Sequence, residues 1–142
     1  MIEALKNGLE SAGEESTMDI GARLAKELKD GDVLAIYGDL GAGKTVFVKG
    51  LARGLGIRQT VKSPSFNVCS YYEAEPLSLA HVDAYRLASG EDFENLLIDE
   101  FMPQPKVVCV EWPQAVIEAL PKNVLSIYIN RSPNGGRTIV LK

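Results

Sequence analysis

A single three-layer α/β domain, its sheet parallel at the centre and antiparallel toward the hairpins, is what this sequence predicts. Three observations carry the prediction. The apolar run Val33–Tyr37 leads directly into a glycine-rich turn and then a helical pattern, a strand–loop–helix unit. A second continuous apolar run, residues 106–110, has the composition of a parallel strand buried on both faces. Strand-like runs at 66–72 with 77–82, and at 124–129 with 138–141, pair across turn residues as hairpins do. The chain's 142 residues suffice for one such domain with its own core and not for two.

The first element is a helix over residues 18–28, with Thr17 as its N-cap and Ile20, Leu24 and Leu28 repeating every four residues. Gly31 and Asp32 end it. After the strand Val33–Tyr37 and its turn comes a helix over 44–53, stopped by Gly54 and Gly56. Ser63-Pro64 is a break, because a residue before proline is driven to extended backbone. The strands at 66–72 and 77–82 flank a turn at 73–76. A short acidic helix follows over 91–101, then the central strand over 106–110, which runs into Glu111-Trp112-Pro113. A helix over 114–120 and the last two strands, joined through Asn134-Gly135-Gly136, complete the chain. No repeat, linker or low-complexity tract interrupts the pattern.

The turn after the first strand reads Gly38-Asp-Leu-Gly-Ala-Gly-Lys-Thr45 and fits G-x-x-x-x-G-K-[ST], a phosphate-binding loop. Its chemistry needs these residue types at this spacing. Glycines let successive N–H groups turn inward, Lys44 supplies a charge between terminal phosphates, and Thr45 offers a hydroxyl to Mg²⁺. Gly43 opens a helix whose positive end receives the phosphates. The fold class is thus P-loop NTPase-like, and Asp39, Leu40, Gly41, Ala42, Gly43, Lys44, Thr45 and Val46 are the candidate nucleotide contacts.

Such a loop works with a second carboxylate at the end of a neighbouring strand. Asp83, after Val82, and Glu111, after Val110, are both placed for this; each is otherwise an ordinary strand-end carboxylate. The more buried strand before Glu111 favours it as the metal ligand and leaves Asp83 as second ligand or water positioner. Ser63 and Ser65 form either a plain turn or a switch segment sensing the γ-phosphate. Arg86 is a surface ion pair or a phosphate contact. His81 shares a strand face with Asp83 and reads as a hydrogen-bonded structural residue rather than a base. Trp112, the only tryptophan, directly follows the proposed metal ligand.

The net charge is −4, but the distribution is more informative than the sum. From Leu40 to Tyr72 no residue is acidic, and Lys44, Lys49, Arg53, Arg58 and Lys62 all fall there; from Glu73 to Glu118 ten acidic residues face Arg86 and Lys106. The basic segment either serves the triphosphate or docks an acidic partner or nucleic acid. Lys49 and Arg53 share a helix face. Cys69 and Cys109 lie in strand-like runs without metal-ligand spacing and read as reduced small hydrophobes, with no disulfide partner. No apolar run approaches membrane-span length and no signal sequence opens the chain, so the expectation is a cytoplasmic protein without a membrane partner.

In order, the loop Gly38 to Thr45, then Val61-Lys-Ser-Pro-Ser-Phe66, His81-Val-Asp-Ala-Tyr-Arg-Leu87 and Glu111-Trp-Pro113 resemble the TsaE (YjeE) family of bacterial ATPases in tRNA threonylcarbamoyladenosine synthesis. The similarity spans Thr17 through the Gly136-Arg-Thr138 end, and H-x-D-x-Y-R-L followed by E-W is far more specific than the loop. The resemblance implies ATP as the nucleotide, Glu111 and Thr45 as Mg²⁺ ligands, Asp83 in the catalytic site, and Glu14 and Arg137 near the base. Ser65 stands where the family more often has threonine. It also implies TsaD and TsaB as partners, tRNA met only indirectly or weakly, and ATP turnover that resets the TsaB–TsaD complex rather than performing acyl transfer. The competing classes are a small-metabolite kinase, for which no Arg-rich lid segment is present, and a nucleotide-binding switch without turnover. A guanine-nucleotide switch would need N-K-x-D, and no asparagine here precedes lysine.

Overall fold

The computed structural model describes residues 1–64 and 67–142. Ser65, and Phe66 at the start of the strand expected over 66–72, lie outside the described residues. In chain order the elements are α1 (Ile2–Asn7), β1 (Leu9–Ser11), α2 (Glu14–Ala25), β2 (Val33–Tyr37), α3 (Lys44–Gly54), β3 (Cys69–Tyr72), β4 (Ser78–Asp83), α4 (Gly90–Glu94), α5 (Ile98–Phe101), β5 (Lys106–Glu111), β6 (Leu125–Arg131) and β7 (Arg137–Leu141). The described strands form one sheet in the order β1-β7-β6-β2-β5-β4-β3. β2 pairs parallel with β5 and β6, and β4 parallel with β5; the three outer pairings are antiparallel. The mixed sheet is therefore parallel where the loop emerges and antiparallel at both edges.

Alternation along the strands divides the core into two layers. Leu34 and Ile36 of β2, Leu79 of β4 and Val107 and Cys109 of β5 face α2 and α3, meeting Leu24, Phe47 and Leu51. Ala35, Val82 and Val110 face the other way, onto Ile98, Val116 and Leu120. Period-two spacing then sends His81, Asp83 and Glu111 to the α3 side of the sheet, as a continuation of the Leu79 and Cys109 rows.

Helices α2 and α3 meet at close range because small residues line their crossing. A Cβ on Gly50 would overlap the Met18 backbone, and one on Gly54 the Ala22 carbonyl. Gly54, the last residue of α3, thus also packs against α2. Gly56, at φ +82°, turns the chain out, while the N–H groups of Gly56 and Ile57 reach back to the Arg53 and Ala52 carbonyls at 3.1 and 3.0 Å.

Three expectations need correction. The N-cap of α2 is Gly13, not Thr17. Thr17 lies one turn inside, buried, with its hydroxyl 2.7 Å from that of Ser11 on β1, a strand not anticipated because three residues carry no periodicity. The acidic helix breaks into α4 and α5 at Leu97, whose φ of 52° rotates the chain so that Ile98 enters the core. Between Pro113 and Pro121 there is no α-helix. Two 3₁₀ turns, Pro113–Ala115 and Ile117–Ala119, form instead, and they deliver Val116 and Leu120 to the second layer.

Candidate functional site

β2 is the middle strand, so residues 38–43 emerge at the carboxyl ends of parallel strands, where open α/β sheets bind ligands. Gly43 sits at φ +107° as the N-cap of α3, a conformation a side chain would make costly. The first-turn N–H groups of α3 lack intrahelical acceptors and carry the positive end of the helix dipole.

Lys44 is 5% exposed. Its ammonium donates to the carbonyls of Gly38 and Asp39 at 2.6 and 2.9 Å and stands 4.0 Å from the centre of the Trp112 ring. Burial pushes its pKa below the ordinary lysine value, and the carboxylates of Glu111, Asp39 and Asp83 pull it partly back. Trp112 itself holds φ 55°, and Tyr85 meets its ring edge-on at 5.1 Å between centroids.

Glu111, the last residue of β5, is buried. Its carboxylate accepts from the Thr45 hydroxyl at 3.0 and 3.2 Å and from His81 Nε2 at 2.5 Å. His81 is fully buried on β4 beside it, and its Nδ1 has no partner among the described residues. That asymmetry makes Nε2 the protonated nitrogen, since a proton on Nδ1 would be a stranded donor. A carboxylate pinned to the first-turn hydroxyl of the loop's own helix is the donor set a Mg–phosphate site requires. Among the described residues no three His, Cys, Asp or Glu side chains are grouped to hold a metal by themselves, so a cation here would complete its shell with phosphate and water oxygens.

Lys44, Thr45, Tyr85, Glu111 and Trp112 line one cleft of about 690 Å³, within the range of small-ligand pockets. The loop from Leu40 to Val46 forms its floor, with Ser63 and Glu14 among its walls. Asp83, Arg86 and Trp112 close another side, and Gly135 to Arg137 of the β6–β7 turn a further one. Asp83 accepts the Tyr85 N–H at 3.1 Å and does not reach Thr45, which separates its role from that of Glu111. Arg86 makes no ion pair among the described residues, contrary to the ion-pair alternative.

Of the expected nucleotide contacts Asp39 and Arg137, only Arg137 is in the cleft lining. The Asp39 side chain is exposed on the outer turn of the loop and is not part of the cleft lining. The Arg137 guanidinium is committed to backbone, donating to the carbonyls of Gly41, Ala42, Gly135 and Gly136. Arg131, which no motif singles out, donates to the Leu40 carbonyl at 3.0 Å across 91 residues of sequence. Nothing in the local pattern around Arg131 signals that contact. Cys69 and Cys109 are free thiols, each with its pKa pushed up by burial, that of Cys69 to about 11.

Comparison with known proteins agrees with this arrangement. A family model described as threonylcarbamoyl adenosine biosynthesis protein TsaE matches residues 11–139. The chain is 42% identical over 125 residues to the tRNA threonylcarbamoyladenosine biosynthesis protein TsaE of Bacillus subtilis (strain 168), covering 88% of this chain and 78% of that one. It is 37% identical over 131 residues to the protein of the same name from Treponema pallidum (strain Nichols), covering 92% and 96%. The crystal structure of Bacillus subtilis YdiB aligns with a TM-score of 0.80 at 37% identity, covering 94% of this chain and 82% of that one. With the family model spanning nearly the whole chain, and the phosphate loop, β4 end and β5 end meeting in one cleft, the chain belongs to the TsaE family.

Proposed function

We propose that this chain is a Mg-ATP hydrolase that assists tRNA threonylcarbamoyladenosine synthesis by driving or resetting a TsaB–TsaD complex. The observation that carries the ATPase part is the buried Glu111 carboxylate bonded to Thr45, two residues 66 positions apart that meet only across the end of the phosphate loop. On this reading the α3 N-terminus and the loop N–H groups receive the phosphates, and Lys44 neutralises charge between the terminal ones. Thr45 and Glu111 would hold Mg²⁺, which shields the phosphate oxygens as charge shifts to the leaving group. Asp83, held at the mouth by the Tyr85 N–H, is the carboxylate left to orient a water.

The partner part rests on family membership and on the charge asymmetry of the surface. Phosphate release from ATP, measured with and without TsaB–TsaD, tests both parts. Slow release alone and a marked rise with the pair is expected, with Trp112 fluorescence changing on Mg-ADP addition. Release that is absent under both conditions, or a preference for GTP over ATP, overturns the ATPase assignment; release indifferent to the pair overturns the coupling.

A further inference from the structure

The carbonyls of five successive loop residues all accept hydrogen bonds from cationic side chains. Lys44 takes Gly38 and Asp39 at 2.6 and 2.9 Å, Arg131 takes Leu40 at 3.0 Å, and Arg137 takes Gly41 and Ala42 at 3.1 and 2.8 Å. We infer that Arg131 and Arg137, which bracket the β6–β7 turn, are positioning residues that hold the phosphate loop in its anion-binding shape. The inference rests on the proposed reading of the cleft as a nucleotide site.

The physical reason lies in the peptide plane. Across a trans peptide the C=O of one residue and the N–H of the next point in opposite directions. Drawing the Leu40 and Ala42 carbonyls toward the hairpin therefore turns the Gly41 and Gly43 N–H groups to the opposite side, while the Ala42 N–H is taken by the Asp39 carbonyl at 3.0 Å. Hydrogen bonds from charged donors are the stronger kind, and Arg131 and Arg137 supply them from a separate element. Gly41 admits the approach, because a Cβ there would come within 2.8 Å of Arg131 Nη2. The hairpin is itself anchored: Ser132 and Thr138 donate to the two carboxylate oxygens of Glu10 on β1 at 3.0 and 2.9 Å. Arg137 also ties its own turn through Gly135 and Gly136 at 3.2 and 3.0 Å. The sheet edge thus supports the loop from behind, and neither arginine needs to touch a ligand to raise its affinity.

Arg131→Ala is the sharper test, since Arg131 makes a single loop contact. In nucleotide-free protein, amide hydrogen exchange of residues 39–45 should speed up by about tenfold relative to the sheet, the loss expected of one charged hydrogen bond. Affinities for ADP and for inorganic pyrophosphate should fall together by about tenfold, and Arg131→Lys should recover most of the loss. Unchanged loop exchange with reduced affinity would make Arg131 a direct phosphate ligand and overturn the positioning role. Unchanged exchange and affinity would reduce it to a surface bond. If Arg131→Ala does not fold, Arg131→Gln, shorter and uncharged, is read by the same two measurements. Wild-type protein that binds neither ADP nor pyrophosphate would sink the nucleotide reading, while the exchange measurement would still decide whether Arg131 orders the loop.

Discussion

Lys44 and Glu111 are charged residues buried within one cleft, and each is held there by named partners. For Lys44 the dominant influence is burial, which lowers its pKa from the ordinary 10.5. The unfolded chain then keeps that proton to higher pH than the folded one, so stability rises with pH between the lowered value and 10.5. Lys44→Met should abolish this rise in urea unfolding curves collected across that window, and should weaken Mg-ATP binding by about a hundredfold because a buried charged donor is lost. Equal pH dependence in the two proteins would show that burial does not govern this lysine. Glu111 is a different case, since its removal strands His81. Glu111→Ala leaves the imidazole with no partner at either nitrogen among the described residues and should cost about 1–3 kcal/mol of stability by chemical denaturation. Glu111→Gln, which retains an acceptor, should cost less while still losing the Mg²⁺ dependence of nucleotide binding. Equal stability loss in the two variants would mean that the His81 contact contributes nothing.

At the scale of elements, the site depends on how closely α3 approaches α2. Thr45 at the start of α3 reaches Glu111 at the end of β5, and the small residues at the crossing bring α3 close to α2. Gly50→Ala would drive a methyl into the Met18 backbone, which cannot rotate away as a side chain would. The expected cost is about 1–3 kcal/mol, the range for overpacking, read from the denaturation midpoint. A displaced α3 should also weaken ADP binding although Gly50 is remote from the loop. A variant that is destabilised with unchanged ADP affinity would show that the crossing serves the core alone.

For the molecule as a whole, the acid-free stretch resolves into two populations. Lys44 is buried in the cleft, whereas Lys49, Arg53, Arg58 and Lys62 are exposed. Arg53 pairs with Glu15 on α2 at 3.1 Å, an exposed contact of small energetic value, and Lys49 lies one turn before it on α3. On the proposed function these two meet an acidic surface of the partner pair. Reversing both to glutamate should leave ATP affinity nearly intact, abolish stimulation of phosphate release by TsaB–TsaD, and weaken the complex in a salt-sensitive manner. If the reversal instead reduces ATP affinity and leaves stimulation untouched, the charges serve the triphosphate and the docking reading is lost.

Local chemistry made the candidate site of this protein legible in the sequence. The phosphate loop is a fixed spacing of residue types, β2 is a bounded apolar run, and Glu111 ends a continuous apolar run, so each announces itself within a few positions. The same spacing, read through period-two alternation, places His81, Asp83 and Glu111 on one face. Pairing across distance is what only the tertiary structure decided. β1 exists because β7 pairs with it, Thr17 is buried because Ser11 meets it, and Leu97 bends because Ile98 must enter the core. Arg131 and Arg137 acquire their positions from carbonyls more than ninety residues earlier. Periodicity specifies which face a side chain takes; the backbone group it meets there is set by how the sheet edge folds against the loop.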